Sequence, residues 1–372
     1  MADLARYYFF IYWFIVMLMT VNKYIIMRRW NAYSVIQKTE DYRPLIVFSV
    51  FYIILFGFRP IMNDGTFGDT GVYATKYELL QSYSIFDNIE VNLTSDWFFN
   101  TLMRLCSLVM DVHFFFAIVM MAYIVMMIAG CIKLDNRHGA LMMLFCFGAF
   151  SFYTYSVNGI RNGMACSIII FALSLLSKDN RLWPIILSFI AIGCHKSTAL
   201  PVVCMFLAYY LRGTKLMFFI WLGAIIISIV IGDYINNILL MVNYDARLAN
   251  NLQSDYIDGE IVEHRFRWDF LLYSSIPIVL GWYTIFIRKL QDWTYILLLG
   301  TYIYANSFWV LAIRAAYSNR IAYLSWFIYP IVLAYPLLNF PVFKKKHSKK
   351  VAWILLVHFV LTTVLLRNYF LI

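Results

Sequence analysis

The chain has 372 residues, 63% of them hydrophobic and 13% charged, with a formal net charge of +10. A soluble globular domain carries about 25% charged residues, so an ordinary soluble enzyme is excluded and a membrane is the chain's main solvent. The basic excess does not indicate nucleic acid, because the Lys and Arg residues fall mostly in short connections between apolar runs, where the positive-inside bias places them.

Apolar runs recur from Tyr8 to the end of the chain. They approach the roughly 20 residues that a helix needs to cross a hydrocarbon core. None alternates polar and apolar residues over about ten positions, as a barrel strand would, so the spans are helical. The first, 7–27, is read as a retained helix because no small-residue cleavage site precedes Lys23. About twelve transmembrane helices follow from the pattern, near 8–27, 44–59, 113–133, 139–157, 161–177, 182–194, 197–211, 216–232, 269–287, 293–313, 319–340 and 351–371. The expectation is an all-α polytopic membrane protein, one membrane domain over 1–372, with two large outer loops at about 60–112 and 233–268.

The basic connections 28–43, 133–137, 178–181, 212–215, 288–289 and 344–350 are predicted to face the cytoplasm. Helix parity then requires two choices. Residues 96–110 do not cross alone and form an outer interfacial or re-entrant helix. The apolar stretch 182–211 is two short helices meeting at an outer turn around His195, with Gly193 suited to a C-cap, Ser197 to an N-cap and Pro201 to the next first turn. Both termini then lie outside.

The remaining polar residues carry the functional signal. Arg59, Asp64, Asp69, Arg161, His195, Arg265, Arg267, Arg314 and Arg320 all fall at predicted outer helix ends or outer loops, against the positive-inside bias. Guanidinium forks match phosphate bidentately. Arg161 and Asn162 open a helix after Asn158-Gly159, where unpaired amides and a positive dipole end add to the cation; snorkelling to headgroups is the bland alternative. Arg314 and Arg320 bracket a short connection and, with Arg59, place further cations for a diphosphate.

A glycine-rich loop leads into a helix on which Asp69, Tyr73 and Tyr77 share a face. Aromatic and acidic groups together suit a sugar, although Asp69 or Thr70 equally suits a helix cap. Arg265 and Arg267, beside Phe266 and Trp268, mix cations with aromatics in the second loop and join the glycan-binding candidates. His195, read as opening a helix whose dipole keeps the ring neutral, is a candidate proton acceptor, with Asp69 as the other. The six cysteines stand singly, without a CxxC pair or a histidine at ligand spacing. No metal, cofactor or disulfide framework is expected.

Over nearly its full length the chain resembles the EpsG-like family of bacterial exopolysaccharide polymerases, related in role to the Wzy polymerases of O-antigen and capsule assembly. The resemblance rests on Phe58-Arg59 with Gly68-Asp69-Thr70 and Tyr73/Tyr77, on Gly159-Ile160-Arg161-Asn162 with Ala165, on Cys194-His195-Lys196-Ser197 with Ala199-Leu200, and on Asn319-Arg320 with Tyr323. One departure is Ser95-Asp96-Trp97, where the family often shows Glu-Pro; Asp96 keeps the charge. The resemblance implies a GT-C-like fold in the bacterial inner membrane. It also implies metal-independent joining of undecaprenyl-diphosphate-linked oligosaccharide units on the periplasmic or outer face, with membrane lipids and a chain-length regulator as further partners. A lipid-linked oligosaccharide flippase, or a single-addition glycosyl or acyl transferase on the same carrier, is the alternative.

The topology has a direct test. A cysteine replacing Lys346 should react with an impermeant thiol reagent only from the cytoplasmic side, and cysteines replacing Asn63 or Asp258 only from the other. Labelling of position 346 from outside would overturn the assignment.

Overall fold

The computed structural model describes residues 2–62, 67–83, 95–242, 256–257, 260–261, 266–315 and 318–366. In chain order its helices are α1 (Ala2–Arg28), α2 (Ser34–Gln37), α3 (Arg43–Gly57), α4 (Thr70–Gln81), α5 (Trp97–Ser107), α6 (Val112–Leu134), α7 (Gly139–Phe147), α8 (Phe150–Val157), α9 (Ile160–Leu176), α10 (Leu182–Cys194), α11 (Ala199–Leu211), α12 (Thr214–Val242), α13 (Trp268–Trp282), α14 (Trp293–Leu311), α15 (Ser318–Trp326), α16 (Tyr329–Asn339) and α17 (His347–Leu365). The strands among the described residues are one antiparallel pairing of Tyr256–Ile257 with Glu260–Ile261.

Seven helical segments among the described residues are long and apolar enough to cross a membrane: Leu4–Arg28, Val112–Leu134, Thr214–Gly232, Trp268–Ile287, Trp293–Leu311, Ser318–Asn339 and His347–Leu365. Arg43–Gly57, Ile160–Leu176, Leu182–Cys194 and Lys196–Leu211 are shorter apolar helices. The protein is thus a predominantly helical, multi-pass membrane protein.

Local chemistry explains the clearest boundaries. Asp111 caps α6 by accepting from the amides of His113 (2.8 Å) and Phe114 (3.2 Å), and Asp292 caps α14 through the amide of Tyr295 at 2.7 Å. The stretch 182–211 breaks at His195, as parity required, and Pro201 lies in the first turn of α11. The caps differ from expectation. His195 itself closes α10 in an extended conformation, and the Thr198 hydroxyl, on a single 3-10 turn, donates to the carbonyls of Ala191 and His195. Gly193 is instead buried against the indole of Trp97, where a Cβ would lie 2.5 Å from the ring.

One other expectation is corrected. Residues 139–157 are not one straight span, because α7 and α8 meet at a 71° bend. The bend leaves carbonyls of the last turn of α7 without helical partners, and an apolar surround makes such orphans costly. His358 Nε2–H donates to the Phe145 carbonyl at 3.0 Å, and the Tyr12 hydroxyl donates to that of Phe147. The span expected at 216–232 is present as Thr214–Gly232, and beyond a kink at Ile231 helical backbone runs on to Val242.

The helices gather into two compact units, residues 1–198 with 334–372, and residues 199–333. Within the first unit, three basic connections meet at one end. The Tyr33 hydroxyl donates to the Lys344 carbonyl (2.6 Å), the Ser348 amide to Ala32 (2.8 Å), the Glu40 amide to Arg137 (2.9 Å) and the Tyr42 hydroxyl to Asn136 (2.7 Å). At the opposite end of the same helices, Tyr8 packs edge-on against Phe56 and Phe67, and Gly68 lies against Asn158. Helices α1, α3, α6 and the α7–α8 pair therefore alternate in direction between a basic end and an end that carries the candidate residues.

Close packing of α3 on α6 fixes that second end. A Cβ on Gly57 would lie 2.7 Å from the backbone Cα of Ala117. Gly57→Ala should therefore destabilise the protein by about 1–3 kcal/mol, read as a lower melting temperature in detergent; an unchanged midpoint would refute the close approach.

Candidate functional site

Asp96 immediately precedes α5 and makes no capping bond to it. Its carboxylate reaches instead to two other helices. Oδ2 accepts from Arg161 Nη1 on the first turn of α9, and Oδ1 accepts from the Lys196 backbone amide at 2.9 Å. His195 Nδ1 lies 3.6 Å from the same Oδ2, inside ion-pair range but beyond a hydrogen bond. Arg161 is held from its other side: Nε donates to the Tyr73 hydroxyl at 2.7 Å, with the guanidinium carbon 5.3 Å from that ring's centre. Tyr73 in turn packs on Phe99 of α5. Groups from α9 and the turn after α10 thus converge on one carboxylate at the start of α5, and Tyr73 of α4 holds the arginine among them.

The Arg161, Asp96 and His195 side chains are 14%, 10% and 15% exposed, enough for a ligand to reach them and little enough for charge to act strongly. Burial pushes the Asp96 carboxyl up, but the His195 ring, the Arg161 guanidinium and the Lys196 amide outweigh it and bring it down to about 2. A carboxylate so stabilised is a poor proton acceptor at neutral pH. Asp96 can orient its neighbours but is unsuited to be the base.

The loop before α4 presses on the start of α9. Gly68 is its only glycine with a positive φ among the described residues (+55°), and a Cβ there would lie 2.7 Å from the Asn158 side chain. Asn158 precedes Gly159, the residue that begins α9 without a capping side chain. Helix starts leave amides unpaired, so α9 offers its dipole and the Arg161 fork to an anion. Asn162, one residue on, accepts from the Cys166 thiol at 3.2 Å. Asp69 is exposed at the N-cap position of α4, but its side chain makes no cap there.

Several expectations change here. Arg59 is fully buried rather than open to a diphosphate. Its Nε donates to Thr70 Oγ1 (2.9 Å), its Nη1 to the Phe56 carbonyl (2.6 Å), and its guanidinium carbon sits 4.8 Å from the Phe116 ring centre. Burial lowers it to about 10, so it remains a cation that clamps the Gly68 loop. Tyr77 is buried too, its hydroxyl donating to the Met110 carbonyl at 2.9 Å. Tyr73 is likewise buried, and its hydroxyl serves Arg161. His195 does not open a helix. It closes α10, so the dipole expected to keep its ring neutral is reversed, and a carboxylate faces its Nδ1.

Arg314, Arg320 and Arg267 belong to the second unit. Arg314 lies along α12, its Nη2 3.5 Å from the Ile229 carbonyl and its Nε where a Gly232 Cβ would be only 2.8 Å away. Arg320 is exposed on α15. Arg267 is taken up bidentately by Asp269 (2.9 and 2.7 Å) and lies over Phe270, so it anchors the start of α13 more than it presents to a sugar. Arg265 and Asp64 lie outside the described residues. Among the described residues no three His, Cys, Asp or Glu side chains gather as metal ligands. Asp96 and Lys196 were missing from the sequence-derived set. The one sequence signal for Asp96 is the charge it keeps where the resemblance implies a glutamate.

The EpsG family model matches residues 43–371 of this chain. No curated protein and no solved structure matches it.

The Arg161 fork holds two partners at once from a rigid plane, a geometry that an ammonium does not reproduce. Arg161→Lys should weaken binding of a polyprenyl diphosphate by about 10- to 100-fold with little change in melting temperature, and Arg320→Lys tests the second unit in the same assay. Unchanged affinity in both variants would reduce these arginines to headgroup anchors.

Proposed function

From the premise that this chain belongs to the EpsG family of polysaccharide-polymerase-like membrane proteins, we propose that it joins undecaprenyl-diphosphate-linked oligosaccharide repeat units and releases the lipid diphosphate. The observation that carries this reading is the convergence of Arg161, Asp96 and His195 at the end of the first unit opposite its basic connections. With the basic end cytoplasmic, the reaction takes place at the outer face of the inner membrane. The twelve apolar segments then alternate across the bilayer as one polytopic domain. A chain-length regulator is a further partner in this reading.

The chemistry follows from the residues. An acceptor sugar hydroxyl attacks the anomeric carbon of the donor, and a new C–O bond forms as the bond to the diphosphate breaks. The electron pair leaves on the diphosphate oxygen and the hydroxyl proton passes to a base. The departing diphosphate needs charge stabilisation rather than protonation, and Arg161 with the α9 start supplies it; arginine charge does here what a metal does elsewhere. His195 is the better base. The Asp96 carboxylate lies 3.6 Å from Nδ1, on the side where it would hold the ring's own proton once in bonding reach, which leaves Nε2 to accept the next one. Asp69, exposed in the loop against Asn158, is the other candidate. Transporters usually carry ionisable residues near the bilayer midplane. Here the charged cluster sits at helix ends, which favours catalysis over flipping.

The test is to incubate the purified protein in lipid nanodiscs with a lipid-diphosphate oligosaccharide. A ladder of products is expected; a single added unit would identify a single-addition transferase, and no new product would refute the enzyme. In the same assay His195→Ala should lower turnover by about 10²–10⁴-fold and Asp69→Asn by much less. An inactive Asp69→Asn beside an active His195→Ala would make Asp69 the base.

A further inference from the structure

Oδ2 of Asp96 faces two groups and satisfies one. Arg161 Nη1 has the hydrogen bond, while His195 Nδ1, at 3.6 Å, is just outside bonding reach, and that nitrogen is buried without another hydrogen-bond partner. The second oxygen, Oδ1, is tied to the Lys196 amide, on the residue next to His195. The carboxylate is therefore fixed on the His195 side and shared on the other.

We propose that Asp96 is a positioning residue that couples donor binding to the base: a diphosphate taking the Arg161 fork releases Oδ2, which then closes on His195 Nδ1–H. The inference rests on the polymerase reading above. Closure requires only that the gap shrink by roughly 0.8 Å to a normal hydrogen-bond length. Oδ1 keeps its amide partner throughout, so the carboxylate pivots instead of leaving.

This arrangement has two consequences. In the empty site Asp96 neutralises Arg161 and so weakens its pull on an anion, a cost recovered when the freed carboxylate bonds the imidazole. The imidazole, meanwhile, acquires its fixed Nδ1–H tautomer only after the donor is seated, so Nε2 becomes an oriented acceptor at that moment. The donor binds first and the acceptor hydroxyl is deprotonated second. Arg161 and Tyr73 remain paired, which keeps the guanidinium from following the diphosphate out of position.

Asp96→Asn separates this role from a structural one, because asparagine keeps an oxygen for the Lys196 amide but loses the charge. The variant should bind polyprenyl diphosphate about tenfold more tightly, since Arg161 is no longer neutralised, and turn over about 10²–10⁴-fold more slowly, since the base is no longer oriented. A merely structural carboxylate would damage both together. Placing Asp96→Asn in an Arg161→Gln background should abolish the gain in affinity. If Asp96→Asn does not fold, Asp96→Glu carries the test: it should restore near-wild-type affinity with partial turnover, and affinity raised well above wild type in that variant would contradict the coupling. A wild-type protein that forms no ladder would sink the polymerase reading and this inference with it. A wild-type protein that polymerises while Asp96→Asn binds diphosphate no more tightly, or keeps its turnover, would sink the inference alone.

Discussion

A carboxylate held mostly out of water at the end of a helix bundle must be matched there, because the surrounding protein and lipid offer no other compensation. Asp96 is matched by a guanidinium from α9, a backbone amide after α10 and an imidazole beside it. The partners come from α9 and from the turn after α10, so satisfying this one charge fixes the start of α5, the first turn of α9 and the break at His195 relative to one another. Tyr73 extends the same tie to α4. The pairing costs desolvation, and its return is geometric: a guanidinium fork and a candidate base are held within reach of one oxygen.

The same constraint shapes the rest of the first unit. Where α7 and α8 bend, the unpaired carbonyls of Phe145 and Phe147 are met by His358 and Tyr12 from two other helices. Where Arg59 is buried, it turns its donors onto Thr70 and Phe56 and its face onto Phe116. Arg59 therefore holds the loop that Gly68 presses against Asn158, and so buttresses the start of α9 from below. Polar groups with no water to turn to serve as joints between helices, and the candidate site is the joint nearest the helix ends.

Much of the helical layout was legible in the sequence because it depends on local properties. Apolar length marks the spans, basic connections mark one end, and the conflict between parity and the long run 182–211 requires the break at His195. The basic connections meeting through Tyr33, Tyr42 and Ser348 agree with that grouping. What could not be read depends on contacts distant in sequence. Asp96 meets Arg161 across 65 positions and Lys196 across 100, and neither pairing leaves a periodic trace. Arg59 looked like a surface cation because it follows a span, and only the fold shows the loop closing over it. Tyr77 shares a helix face with Tyr73 as the spacing predicts, but that face turns inward. The bend at Gly148 carries no proline to announce it.

In the proposed reaction the diphosphate of the donor is bound by Arg161 at the end of the helices opposite the basic connections. The most direct measurement is an experimental structure of the protein in nanodiscs with a non-transferable lipid-diphosphate oligosaccharide bound. The expected result is diphosphate density within hydrogen-bond distance of the Arg161 guanidinium at the start of α9, with the first sugar beside His195. Diphosphate seated among Arg28, Arg137 and Lys344 at the basic end, with the Arg161 and Asp96 pair undisturbed, would contradict it.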